Sequence, residues 1–239
     1  MQVASRRSVR ASRAASVAGV AGTDPASVRT WDRLARSYGR QERREQHAVD
    51  TALRLAAPGP RETLVDLASG TGLVLRRLGA RPAQAVGVDR SAAMLAHVGP
   101  LPDDTRLLRA DARDVPLPDG HADVVTISYL LHLLSPADRA AVLAEARRLL
   151  RPDPASRLVT VTVWTGRAPP ARLVGRVLAA AAAARPAALG GLRPLDPTAD
   201  LRAAGLQVDR RVELPRRGYP SLVLRARLPA GRTPDLRTP

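Results

Sequence analysis

Cysteine is absent from the 239 residues. No disulfide framework, thiolate metal site or cysteine nucleophile is therefore available. Phenylalanine is absent too, and aromatic residues make up only 2%, so the core has to be aliphatic, built from Leu, Val and Ala. Lysine does not occur: all 38 basic residues are arginine. No apolar run reaches the roughly 18–20 residues that a membrane-spanning helix needs. The four histidines show no ligand-like spacing, and no metal site is expected.

What remains is still enough for a sizeable core, because 45% of the residues are apolar. The length suits one domain with additions. The formal net charge of +16 creates a field that attracts anions. A chain without Lys or Phe and rich in Ala, Arg, Gly and Pro looks like the product of a GC-rich genome. That origin weakens the inference from charge to nucleic acid, and a generically basic surface is the expectation.

Residues 1–24 are small, Ser-rich and Arg-rich and cannot bury enough apolar surface to order themselves. Ser5-Arg6-Arg7-Ser8-Val9 resembles a twin-arginine export signal, but the stretch after it contains Gly and Ser and almost no Leu or Ile. A basic tail and a cytoplasmic location are expected. Residues 26–56 read as helix, with Trp31, Leu34, Ala35 and Tyr38 on one face, and Pro58-Gly59-Pro60 breaks the chain.

From residue 63 the text alternates. Strands are expected at Thr63–Leu67, Ala85–Asp89, Thr105–Arg109, Ala122–Ile127 and Arg157–Trp164. Helices are expected at Thr71–Leu78, Ser91–Val98 and Pro136–Leu150. Such alternation argues for a parallel sheet covered on both faces. The region 166–200, with its Ala-rich stretch and many prolines, reads as a helical insertion over the site. A short helix at 198–204 and two strands, Leu206–Leu214 and Tyr219–Leu228, follow. The resulting division is a tail at 1–24, an N-terminal helical lid at 25–60, a core at 61–165, the lid insertion at 166–200, the last helix and hairpin at 201–228, and a tail at 229–239.

The chemistry concentrates in Val65-Asp66-Leu67-Ala68-Ser69-Gly70-Thr71-Gly72. A strand ends in an acid, and a turn of small residues opens into a helix, so backbone can approach a ligand closely. A nicotinamide site wants a third small residue after Gly70-Thr71-Gly72, but Val74 and Leu75 stand there. A pyrophosphate gains nothing from Asp66, whereas an ammonium group does. S-adenosylmethionine, whose amino-acid head carries both charges, fits better. Asp89, ending Val86-Gly87-Val88-Asp89, can accept from both ribose hydroxyls of either cofactor.

The segments VDLASGTG, AVGVDRSAAML, RADARDVPLPDGHADVVTISYLLHLL and LAEARRLLRP resemble class I S-adenosylmethionine-dependent methyltransferases, most closely the ubiquinone/menaquinone-type (methyltransferase type 11) branch. The resemblance runs from about Trp31 to Leu228. It implies a doubly wound, Rossmann-like α/β fold, with a mostly parallel seven-stranded sheet, a C-terminal antiparallel strand and helical lid segments. It also implies roles. Asp66, Ala68, Ser69, Gly70, Thr71 and Gly72 would hold the methionine portion of S-adenosyl-L-methionine. Asp89 would take the ribose, with Arg90 and Met94 beside the ring. Asp111 and Ala112 would meet the adenine, Ser128 and Tyr129 would line the methionine side, and Tyr38 would close over the cofactor. His132 is a candidate base or orienting group for the acceptor; the alternative is an imidazole packed among Leu131, Leu133 and Leu134. Asp111 has a plainer alternative as a turn residue capping Arg113.

Two positions depart from the family pattern. Asp153-Pro154-Ala155-Ser156 stands where a Gly-Gly pair is usual, and Ala122 replaces an aromatic. Methyl transfer from a sulfonium needs alignment more than a catalytic pair, so the acceptor stays hidden in the text. Three functions remain open: a small-molecule methyltransferase acting on an O, N or C nucleophile (quinone-like or a secondary metabolite), an RNA methyltransferase, and a non-catalytic cofactor-binding protein.

Overall fold

The computed structural model describes residues 29, 31–33, 35, 38–78, 82–164, 166, 193–215 and 220–229. The expected tail at 1–24, residues 230–239 of the other tail, the Ala-rich helix at 172–184 and Tyr219 lie outside them. The elements are α1 (Gly39–Ala56), β1 (Thr63–Leu67), α2 (Leu73–Arg77), β2 (Gln84–Asp89), α3 (Ala92–Ala96), β3 (Thr105–Arg109), β4 (Val124–Ser128), a 3-10 turn (Leu131–Leu133), α4 (Pro136–Leu149), β5 (Arg157–Val163), α5 (Thr198–Ala203), β6 (Gln207–Leu214) and β7 (Ser221–Arg227).

The seven strands form one sheet in the order β3-β2-β1-β4-β5-β7-β6. β1 to β5 run parallel, and β7 alone enters antiparallel, between β5 and β6. The doubly wound expectation is met. Central strands have both faces covered; every residue of β5 is buried. That explains why they read as continuous apolar runs rather than as alternation. On one face Val65, Leu67, Val125 and Ile127 pack with Val142, Leu143, Ala146 and Leu149 of α4. On the other, Leu64, Val124, Val159 and Val161 pack with Val49, Ala52 and Ala56 of α1 and with Leu73–Leu75.

Two helix starts fall later than the text suggests. α1 begins at Gly39 with Tyr38 at its N-cap, although Trp31 to Arg33 are helical ahead of it. The apolar spacing of 31–38 marks a helical face and does not fix where a helix starts. α2 begins at Leu73 because Gly72, with φ of 83°, is left-handed and cannot join a right-handed helix. α4 starts where its signals predict: Ser135 accepts from the Asp138 amide, and Pro136 follows.

Arginines hold the non-helical joints. No helix spans β3 to β4. Instead Glu145 of α4 accepts from the Val115 amide at 2.7 Å, and Arg148 donates to the carbonyls of Val115 (2.9 Å) and Leu117 (2.8 Å). At the Asp153 turn the aspartate does the work of the missing glycines, accepting from the Ala155 amide at 2.6 Å. Ala122, in the aromatic's place, is fully buried and its amide donates to Leu149. Arg157, 6% exposed, donates to the carbonyls of Ala56 and Ala57 and holds both Glu62 oxygens at 2.9 and 2.7 Å. It thereby caps α1, which ends in a left-handed Ala57 rather than glycine. The Arg157 hydrogen bonds keep the Glu62 carboxyl below its usual range.

Candidate active site

A cavity of about 460 Å³ opens at the carboxyl ends of β1 to β4. The strand order reverses between β1 and β4, and ligands of doubly wound sheets bind at that point. Its wall is assembled strand by strand: Ala68 and Gly70 after β1, Asp89 and Arg90 at the end of β2, Asp111 and Ala112 after β3, and Ser128 and Tyr129 at the end of β4. Met94 of α3 lines it, and so do Trp31 and Tyr38 from the N-terminal segment. Ten of the residues implied by resemblance thus meet at one cavity: Tyr38, Ala68, Gly70, Asp89, Arg90, Met94, Asp111, Ala112, Ser128 and Tyr129.

The turn after β1 is bent open by a run of positive φ angles, 58° at Ala68, 54° at Gly70 and 83° at Gly72. A Cβ on Gly72 would come within 2.9 Å of Val98, so only glycine fits. α2 has just five residues, too few for a sizeable dipole, and close approach rests on the turn backbone. Asp89 is clasped from two sides: Oδ2 accepts from the Gly70 amide and Oδ1 from the Ser91 amide, both at 2.8 Å. Burial pushes its carboxyl above the ordinary value.

Five expected residues stand behind the wall. Asp66 is 1% exposed beneath the turn, accepting from the Thr126 hydroxyl at 2.7 Å, and burial pushes its carboxyl up to about 7. Ser69 and Gly72 shape the turn rather than line the cavity. The Thr71 hydroxyl donates to Glu42 of α1, which also binds Arg76 at 2.8 Å. His132 is 4% exposed in the 3-10 turn, edge-on to the Tyr129 ring at 6.1 Å, with Nδ1 unpartnered. Burial pushes its pKa down to about 4, so it is neutral at pH 7.

The Tyr38 phenol that lines the cavity is backed by a buried acid. Tyr38 hydrogen-bonds Glu45 at 3.4 Å. Burial pushes Glu45 up to about 7 and, with the Glu45 charge, raises the Tyr38 phenol.

Sequence reasoning missed the partners of these groups. Asp32, which accepts from the Ser91 hydroxyl, and Glu42 sit in a helix-like stretch with no local mark. Asp138 did carry a signal: it lies three residues after Ser135, at the start of a helix.

Comparison with known proteins bears on the same stretch of chain. Residues 64–153 match the model of the methyltransferase domain. Residues 64–153 carry a methyltransferase domain. The domain's curated relatives include the demethylmenaquinone methyltransferase of Thermus thermophilus, 36% identical over 131 residues, covering 52% of this chain and 56% of the relative. Another is the 2-phytyl-1,4-naphthoquinone methyltransferase of Synechococcus elongatus, 33% identical over 113 residues, covering 42% and 46%. The chain therefore spans about half the length of the curated relatives it matches. Among solved structures, the 1,6-didemethyltoxoflavin-N1-methyltransferase of Burkholderia thailandensis, which holds S-adenosylhomocysteine, superposes with a TM-score of 0.62. It is 16% identical, covering 86% of this chain and 89% of that one, and it shares the fold.

Proposed function

We propose that the domain binds S-adenosylmethionine in this cavity and directs methyl transfer to a small-molecule O, N or C nucleophile, with a quinone-like ring as the acceptor class. The carrying observation is the cavity's succession of groups: an open turn, an acid clasped at the end of β2, an acid after β3, and a buried Ser128 hydroxyl without a partner. A cofactor with an amino-acid head, ribose and base needs these groups in this order. When bound, it supplies a methyl group on a sulfonium, a good leaving group. The chain's own part is alignment and water exclusion, worth up to about 7–11 kcal/mol. The turn and Ser128 would orient the head group, Asp89 the ribose, and Tyr38 and Trp31 would close the outer side. The quinone class rests on what the curated relatives are named for.

The RNA reading draws on charge alone. Arg76, Arg77, Arg139, Arg211, Arg225 and Arg227 are each tied to a carboxylate, so these six do not form a free basic patch. Titration calorimetry should give micromolar binding of S-adenosylmethionine and S-adenosylhomocysteine and none of NAD. Methyl-labelled cofactor should then mark a reduced naphthoquinone and leave RNA unlabelled. Binding of NAD alone would overturn the reading.

We also propose that His132 supports the wall and moves no proton. His132→Leu should keep turnover and cofactor affinity. Because Nδ1 has no partner, losing the ring's polarity costs little at pH 7. The unfolded histidine, with a pKa of 6.5, takes a proton before the folded one does at about 4. The wild type therefore loses stability as pH falls from 6.5 to 4, by about 3 kcal/mol from this group. Glu45 and Asp66, raised to about 7, act in the opposite direction in both proteins and cancel in the comparison. Denaturant unfolding of the two proteins across that range checks this. A collapse of turnover in His132→Leu with intact cofactor binding would restore the base assignment.

A further inference from the structure

One wall of the cavity carries a charged chain of which the cofactor reading uses only Asp111. Asp111 follows β3, beside Asp89 at the end of β2, so a nucleoside with its ribose at Asp89 lays its base toward Asp111. Both Asp111 oxygens are already engaged by Arg113. Oδ1 accepts from the Arg113 amide and Nε, each at 2.9 Å, and Oδ2 accepts from Nη2 at 2.8 Å. The same guanidinium reaches across to Asp138 at the start of α4, donating from Nη1 at 2.6 Å. Asp138 in turn accepts from the Ser135 hydroxyl at 2.7 Å. All four residues line the cavity. The chain runs from a buried end, with the Asp111 side chain 8% exposed, to an open one, with Asp138 at 39%.

A bidentate guanidinium does two things to a carboxylate. It fixes the plane, which a point charge cannot do, and it keeps the group ionised. Burial alone would raise the Asp111 carboxyl, but the Arg113 hydrogen bonds and charge outweigh it and hold it below the ordinary value. Oδ1 already takes two donors and Oδ2 only one among these bonds, and a carboxylate oxygen has two lone-pair sites. The fork thus leaves one directed acceptor on Oδ2. Asp138 pins the other side of the fork to α4, so the acceptor keeps its aim.

We propose that Arg113 is a positioning residue for base recognition: through its fork it aims Asp111 Oδ2 at the exocyclic amine of adenine, and so sets the preference for adenine over hypoxanthine. This rests on the cofactor reading above. A hypoxanthine base presents a carbonyl at that position, and a fixed, ionised carboxylate repels it. A carboxylate free to turn would discriminate far less.

The test is calorimetry with S-adenosylhomocysteine and its inosine counterpart on the wild type, Arg113→Gln and Arg113→Lys. The ratio of the two dissociation constants is the readout, and any unfolded fraction cancels because both ligands meet the same preparation. The wild type should favour adenine by about tenfold to a hundredfold, the range of one hydrogen bond to a charged group. Arg113→Gln should bring the ratio to within about threefold of unity, on the same scale. Arg113→Lys keeps the charge but cannot grip both oxygens, and should stay low. A wild-type ratio retained in Arg113→Gln, with or without weaker overall binding, would reduce Arg113 to a clip between loop and helix and overturn the proposal. A full ratio in Arg113→Lys would assign the effect to charge and overturn the fork. A wild type that binds neither ligand would remove the cofactor reading itself.

Discussion

Arg157→Ala should destabilise the protein by about 2–4 kcal/mol, the cost of leaving two helix-end carbonyls and a half-buried carboxylate without their donor. The substitution strands the carbonyls of Ala56 and Ala57 and leaves the Glu62 carboxylate with only the Gly59 amide. It also leaves the last turn of α1 without the donors that stand in for a glycine cap. Urea unfolding at pH 7 measures the loss. Arg157→Met with Glu62→Gln should recover part of it, because no charge is then left buried alone. The carbonyls stay unsatisfied, so recovery should be incomplete. A single-site loss below about 1 kcal/mol, the level of a surface pair, would show that water replaces the guanidinium. The helix held by this residue carries Tyr38 at its other end, so cofactor affinity should fall along with stability.

Asp89→Asn should weaken S-adenosylhomocysteine binding by about 1.5–3 kcal/mol, or about 10- to 150-fold. Each Asp89 oxygen accepts one backbone amide and has one lone-pair site left. Two free acceptors side by side suit the two vicinal hydroxyls of a ribose. Asparagine keeps one acceptor and turns a donor toward an amide that is already a donor, so it loses both the fit and the fixed orientation. Because burial raises the Asp89 carboxyl, wild-type affinity should also decline on acidification earlier than an exposed aspartate would allow. Calorimetry at several pH values checks both statements, with thermal melting as the control for folding. Unchanged affinity in Asp89→Asn would remove the ribose from this position.

The strands and their order in the chain were legible because apolar runs bounded by Gly, Pro and acids are local signals. β1 and β3 fall where the text places them, and β4 is shifted by two residues at its start and one at its end. The turn and both acids at strand ends were legible for the same reason. Depth was not legible. Asp66 and Asp89 look alike as strand-terminal acids, yet one is beneath the turn and the other on the wall, a difference set by the pleat and by Thr126 on a strand 60 positions away. His132 follows β4 and could be read as facing the acceptor or as packed among leucines, and the 3-10 turn buries it edge-on to Tyr129. The arginine joints were invisible. An arginine side chain is long, and its partner is chosen by the folded arrangement, as with Arg157 and Glu62, 95 positions apart.

The strand order also has a kinetic side. β1 lies between β2, its neighbour in the text, and β4, which pairs with it only after β2 and β3 have been made. A chain growing from its N-terminus can assemble the β1–β2–β3 half, with Asp89 and Asp111 in it, from short-range crossovers. The half that bears Ser128 and Tyr129 must wait for a longer loop to close, and such closures are slow because their entropy is lost before any contact compensates. The cavity therefore comes into being last along its β1–β4 seam. A nascent chain would possess the nucleoside side of its site before the side where a group could be transferred.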